Sequence, residues 1–140
     1  MRRNSTQNPT RERRGRPRLP GSAGLSAALR IKGQMGQLSV QVLDFNRFGL
    51  AACCRRPLPQ NQIVFLTLSD GERLLQRVIG VVHNCLSMDG GYRCGIRFRT
   101  QSPLQFDREE VESTLAALET DLLDRLGSAP PAAAAAAEEG

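Results

Sequence analysis

The stretch Leu25-Ser26-Ala27-Ala28-Leu29-Arg30-Ile31-Lys32 places a larger apolar side chain or an alanine at every odd position. Successive side chains of an extended chain point to opposite faces, so this alternation predicts a half-buried β-strand. Leu38, Val40 and Val42 repeat the pattern before Asp44. Segments 48–54, 63–68, 74–82 and 92–98 bring the expected strands to six. Turn signals separate them: Lys32-Gly33, Asp70-Gly71 and Asp89-Gly90-Gly91. Six short strands with no helix between them imply an antiparallel barrel or sandwich. Closure removes the exposed edges such a set would present, so the expected fold is a six-stranded antiparallel β-barrel.

One helix is expected after the strands, over 107–127, making the class all-β with one C-terminal helix. Asp107 is placed to be its N-cap, with Glu110 three residues on as the capping partner. Val111, Leu115, Leu118, Leu122 and Leu126 recur at steps of three and four and form one apolar stripe. Acids crowd the first turn, Arg125 lies in the last, and Gly127 suits a left-handed cap. The stripe is expected to pack on the barrel. A coiled-coil partner is the alternative for a stripe of about two heptads.

The 140 residues amount to one domain, 40% hydrophobic and 24% charged. Aromatics are only 4% and tryptophan is absent, so the core falls to Leu, Val, Ile and Ala. The net charge is +5, and 18 of the 19 basic residues are arginines, Lys32 being the exception. Charge is unevenly spread along the chain. Residues 1–20 hold seven arginines against one glutamate, 21–106 hold ten basic groups against four acids, and 107–126 hold two arginines against seven acids. Almost nothing apolar precedes Leu19, so a flexible N-terminal arm is expected. The tail from Ser128, with Pro130-Pro131 and Ala132 to Ala137, is low-complexity and expected to be disordered. The expected organisation is therefore a disordered basic arm (1–10), a barrel domain that includes an arginine motif (11–106), the helix (107–127) and the tail (128–140).

Several classes fit poorly. No apolar run exceeds 48–54, well short of the 18 or so residues a membrane helix needs, so no membrane insertion is expected. Met1-Arg2-Arg3 leads into no apolar stretch, which argues against a secretory signal. Cys53, Cys54, Cys85 and Cys94 form no disulfide framework, so reduced thiols and a cytoplasmic location are expected. His83 and Cys85 are read as sharing a strand face, with Cys94 across a hairpin, but this matches no standard zinc spacing and no metal site is assigned. No Gly-rich loop, Ser-His-Asp set or paired carboxylates can be placed. The sequence reads as a binder and not an enzyme, with no cofactor.

Two segments stand out for binding. Arg13-Arg14-Gly15-Arg16-Pro17-Arg18 carries arginines four apart, kept extended by Pro17, although a solvated basic tail would look similar. Asp44-Phe45-Asn46-Arg47-Phe48-Gly49 places Asp44 and Asn46 on one face where the second strand meets the third, and Gly49 allows a turn or a close ligand. A polar bend is the plain alternative.

In this order the two segments resemble the PilZ domain, the bacterial receptor for cyclic di-GMP. That family carries R-x-x-x-R in its N-terminal stretch and D/N-x-S-x-x-G further along. Here the first is Arg14-Gly15-Arg16-Pro17-Arg18 and the second is Asp44-x-Asn46-x-x-Gly49, with Asn46 at the serine position. Tyr92-Arg93-Cys94-Gly95-Ile96-Arg97-Phe98 is similar to the family's last strand. The resemblance covers roughly residues 12–100 and implies a six-stranded barrel with an end helix. It implies that Arg14 and Arg18 pair with phosphates and the O6/N7 edge of guanine, the favoured fork contact of arginine. Asp44 would accept from guanine N1–H and N2–H, Asn46 would add a hydrogen bond and Gly49 would keep the wall low. Arg13 would stack on a purine face, and a basic residue there accompanies two stacked ligand molecules in the family. The ligand-binding set is thus Arg13, Arg14, Arg18, Asp44, Asn46 and Gly49. The partners implied are cyclic di-GMP and an effector protein, with the chain a monomer or weak dimer.

Arg14-Gly15-Arg16-Pro17 also resembles the core of an AT-hook, which lays arginines in the minor groove of A·T-rich DNA. The isoelectric point near 9.7 suits nucleic acid. A single copy beside a barrel without interleaved surface aromatics makes this the alternative reading.

Overall fold

Antiparallel strands that each hide one face from water close on one another in the computed structural model, which describes residues 19–20 and 24–127. The elements are β1 (Leu19–Pro20), β2 (Ser26–Ile31), β3 (Leu38–Asn46), β4 (Gly49–Cys54), β5 (Ile63–Ser69), β6 (Leu74–Met88), β7 (Gly91–Phe98) and α1 (Arg108–Gly127). Six strands run in the order β3-β2-β5-β6-β7-β4, and β4 pairs back onto β3, which closes the barrel. Every pairing is antiparallel. β1 adds to β3 past the end of β2, where Leu19 faces Phe45 and Pro20 faces Asp44. The arm and tail expectations, for 1–18 and 128–140, lie outside the described residues.

The alternation that predicts β2 holds residue by residue. Leu29 sits opposite both Leu38 and Leu66, and Ile31 opposite Val64, with Leu25, Ala27, Leu29 and Ile31 all buried. Their neighbours Ser26, Ala28 and Arg30 face outward or stay partly exposed. Arg30 uses its outward position to lie 4.6 Å over the Phe65 ring.

Two strands run further than the alternation implies, and the cause is the same in both. In β3 the register shifts between Val42 and Asp44, so Leu43 is an extra residue and the inward side chains are Val42 and Phe45. In β6 the shift lies between Val82 and Asn84, and the inward side chains are Val82 and Cys85. A β-bulge puts two residues against one and changes the phase of the pleat. The apolar alternation therefore stops at Val42 and Val82, whereas the strands continue to Asn46 and Met88, and β6 carries an earlier shift between Leu75 and Val78. The second bulge also separates His83, which turns outward over Gly95, from Cys85, which packs beside Cys94. The expectation that His83 and Cys85 share a face is corrected by this change of phase.

α1 packs Val111, Leu115, Leu118 and Leu122 into the barrel core, each at most 3% exposed. The Asp107 carbonyl accepts the first helical bond from Val111 N at 3.0 Å, as an N-cap carbonyl does. Asp107 has a positive φ of 54°, and Glu110 does not turn back to it but accepts from Thr114 Oγ1 at 3.3 Å. The reciprocal capping partner expected at Glu110 is thus replaced by a contact along the helix.

The far end of α1 is tied to the β5–β6 turn. Asp70 Oδ1 accepts from Glu72 N and Arg73 N at 2.9 and 2.7 Å, and Oδ2 meets Arg73 Nη1 and Arg125 Nη2 at 3.2 and 3.5 Å. Arg73 also bonds Asp121 of the helix. Burial pushes the Asp70 carboxyl up, but the backbone donors and the two guanidinium groups outweigh it and hold the group below the ordinary value. A depressed carboxyl stabilises the fold above the unfolded value of about 3.9, and that stability is lost as pH falls through the folded value. Melting temperature is expected to fall as pH drops below about 4, and Asp70→Asn should flatten that fall. Equal acid slopes for the two proteins would remove Asp70 from the cause.

Candidate functional site

The β3–β4 hairpin turns through Arg47 and Phe48, with Asn46 opposite Gly49. The Asn46 side chain builds the turn: Oδ1 accepts from Phe48 N at 2.8 Å and Gly49 N at 3.2 Å. An asparagine suits this position because its side chain reaches its own backbone two residues on. Asn46 is fully buried, and its Nδ2 has no hydrogen-bond partner among the described residues. An orphaned buried donor is costly, so that amide is a group in need of an acceptor.

Asp44 and Asn46 flank the inward Phe45, which is 0% exposed and meets Phe98 at a centroid distance of 6.2 Å. Asp44 reaches the outer surface and bonds Arg93 Nη2 of β7 at 3.0 Å. Both partners retain contact with water, so the pair holds position more than it stabilises.

Gly49 is required by the barrel itself. It lies opposite Arg97, and a Cβ there would come within 2.5 Å of the Ile96 carbonyl oxygen. The close approach that the sequence suggests at Gly49 is therefore made, among the described residues, by the backbone of β7. Gly49→Ala is expected to cost about 1–3 kcal/mol, because a backbone cannot swing aside. Gly95→Ala is a useful contrast. Its Cβ would meet the His83 ring at 2.7 Å, but that is an exposed side chain that can move. Urea denaturation of the two variants should rank Gly49→Ala as the worse, and the reverse order would contradict this packing.

The turn is gripped from below by α1. Glu119, 2% exposed, accepts from Arg47 Nε at 2.7 Å through Oε1 and from Arg47 N at 3.1 Å through Oε2. The helix thereby positions the loop that carries the second motif. Neither Arg47 nor Glu119 follows from the motif pattern. Glu119 had a signal, since it stands beside Leu115, Leu118 and Leu122 on the apolar stripe. Arg93 had one too: inward Cys94, Ile96 and Phe98 force the alternate residues of β7 outward, and Arg93 among them meets Asp44.

Of the six expected ligand residues, Asp44, Asn46 and Gly49 come together on this hairpin, whereas Arg13, Arg14 and Arg18 lie outside the described residues. Leu19, which follows Arg18, is paired with Phe45. Among the described residues no three His, Cys, Asp or Glu side chains converge as a metal site would need. No helix among them is long and apolar enough to cross a membrane. Comparison with known proteins finds neither a family model nor a curated relative that matches the chain.

Proposed function

We propose that the protein is a cytoplasmic cyclic di-GMP receptor of the PilZ type, whose arginine arm closes over the ligand on the outer barrel surface beside Asp44. The observation that carries this reading is the pairing of Leu19 and Pro20 with Phe45 and Asp44. Arg18 directly precedes Leu19 in the sequence, so this pairing supports a reading in which one ligand touches both motif segments. In this reading Arg14 and Arg18 hold phosphates and the O6/N7 edge of guanine, and Arg13 stacks on a purine face. Asp44 accepts from guanine N1–H and N2–H, sharing or releasing Arg93 at little cost because the pair is wetted. Asn46 spends its oxygen on the turn, and its Nδ2, buried and without an acceptor among the described residues, would reach a ligand only if the turn opens. Arm closure is an ordering step driven by the ligand's preference for the closed state, and an effector protein reads the reordered surface.

Calorimetry against cyclic di-GMP, cyclic di-AMP, GTP and an A·T-rich duplex tests this. Cyclic di-GMP should bind in the micromolar range or tighter and be preferred to cyclic di-AMP, because adenine lacks the N1–H and N2–H pair. Amide exchange should slow at 11–18 and 44–49 together on binding. Equal affinity for the two dinucleotides would sink the guanine-edge assignment. Tight duplex binding that falls steeply with salt, with 44–49 unaffected, would favour the AT-hook reading instead.

A further inference from the structure

Cys85 and Cys94 are direct partners across the β6–β7 ladder, and their sulfur atoms lie 2.8 Å apart in the thiol form. Opposed residues of an antiparallel pair have Cα atoms about 4.5–5.5 Å apart, inside the span of about 4.4–6.8 Å that a disulfide bridges. We infer that these two residues form a peroxide-oxidisable dithiol, a modification site that staples β6 to β7 by a cross-strand disulfide.

The chemistry balances with hydrogen peroxide as oxidant. The Cys85 thiol attacks the peroxide and becomes a sulfenic acid with loss of one water. The Cys94 thiol then displaces the hydroxyl of that sulfenic acid, the S–S bond forms and a second water leaves. Two electrons pass from the thiols to the peroxide. Cys85 is the attacking residue because it is partly exposed, and Leu58 N donates to its sulfur at 3.4 Å. Cys94 is fully buried, out of reach of the peroxide, and its sulfur already touches that of Cys85, so it resolves the sulfenic acid instead of meeting the oxidant.

Two further thiols lie close, and the register excludes them. Cys54 is buried and contacts Cys94, but its ladder partner is Tyr92, two residues away from Cys94. A diagonal pair of that kind has a separation of about 7–8 Å, beyond the reach of an unstrained bridge. Cys53 is opposite Arg93 and alternates to the other face.

Trypsin separates the sites, because cleavage at arginines places Cys53 and Cys54 in 48–55, Cys85 in 78–93 and Cys94 in 94–97. The reduced full-length chain would be treated with a small excess of hydrogen peroxide, alkylated in denaturant, digested and weighed. The expected product is one reducible link between 78–93 and 94–97, with both thiols of 48–55 alkylated. In Cys94→Ser, peroxide should leave a dimedone-reactive sulfenic acid on Cys85 and no link. Four alkylated cysteines after peroxide, a link involving 48–55, or chains joined to one another would each overturn the assignment.

Discussion

Arg47→Ala is expected to lower the unfolding free energy by about 3 kcal/mol, near the low end of the range for stripping one partner from a buried ion pair. The change leaves Glu119 in place, 2% exposed, and strips one charged partner from it. Arg47 itself is 35% exposed, so water reaches the pair from one side and keeps the loss from the upper end of that range. Glu119→Gln should cost less. It removes the charge and still offers an oxygen to Arg47 N, so the buried group stays hydrogen-bonded. Urea denaturation at neutral pH checks both, with Arg55→Ala as a surface reference expected within about 0.5 kcal/mol of the parent. An Arg47→Ala loss no larger than that reference would mean the helix does not hold the turn.

Arg14→Ala and Arg18→Ala are each expected to weaken cyclic di-GMP binding by about 1.5–3 kcal/mol, the range for a hydrogen bond to a charged group. That is roughly a tenfold to hundredfold rise in Kd. Arg2→Ala and Arg3→Ala should change almost nothing, because those arginines lie outside the four-residue spacing. The four variants separate a specific clamp from a diffuse positive charge. If all four weaken binding alike, the arm is only a cloud of cations and the motif reading fails.

The barrel was legible because its core follows the pleat. Leu25 to Ile31 and 63 to 68 keep one phase from end to end, and the inward residues are the ones that alternation selects. Legibility failed at Leu43 and His83, where a bulge inserts one residue and the apolar spacing becomes three. A three-residue step reads as the end of a strand, although here it is a bend within one. The same bulge hides the site's geometry: Asp44 follows the first phase change, and its partner Arg93 comes from a strand far along the sequence. The role of Gly49 was equally closed to sequence reading, since glycine next to a turn says nothing about which backbone will approach it. Glu119 left its signal on the apolar stripe, but not its role. A carboxylate among leucines looks like the flank of a stripe until the chain brings Arg47 beneath it.

The two-residue pairing of β1 acts as a short leash. Leu19 is held at Phe45, and Arg14 is five residues upstream of it. At about 3.5 Å per extended residue, Arg14 cannot stray more than about 18 Å from that anchor. One side chain confined to such a volume has an effective concentration on the order of tens of millimolar. On the proposed function, a ligand beside Asp44 would therefore meet arginines that are already local, and contacts too weak to survive between separate molecules would become strong enough to count. Cutting the chain just before Leu19 would leave the barrel and its hairpin whole, and would abolish that advantage even with the severed peptide present at ordinary concentrations.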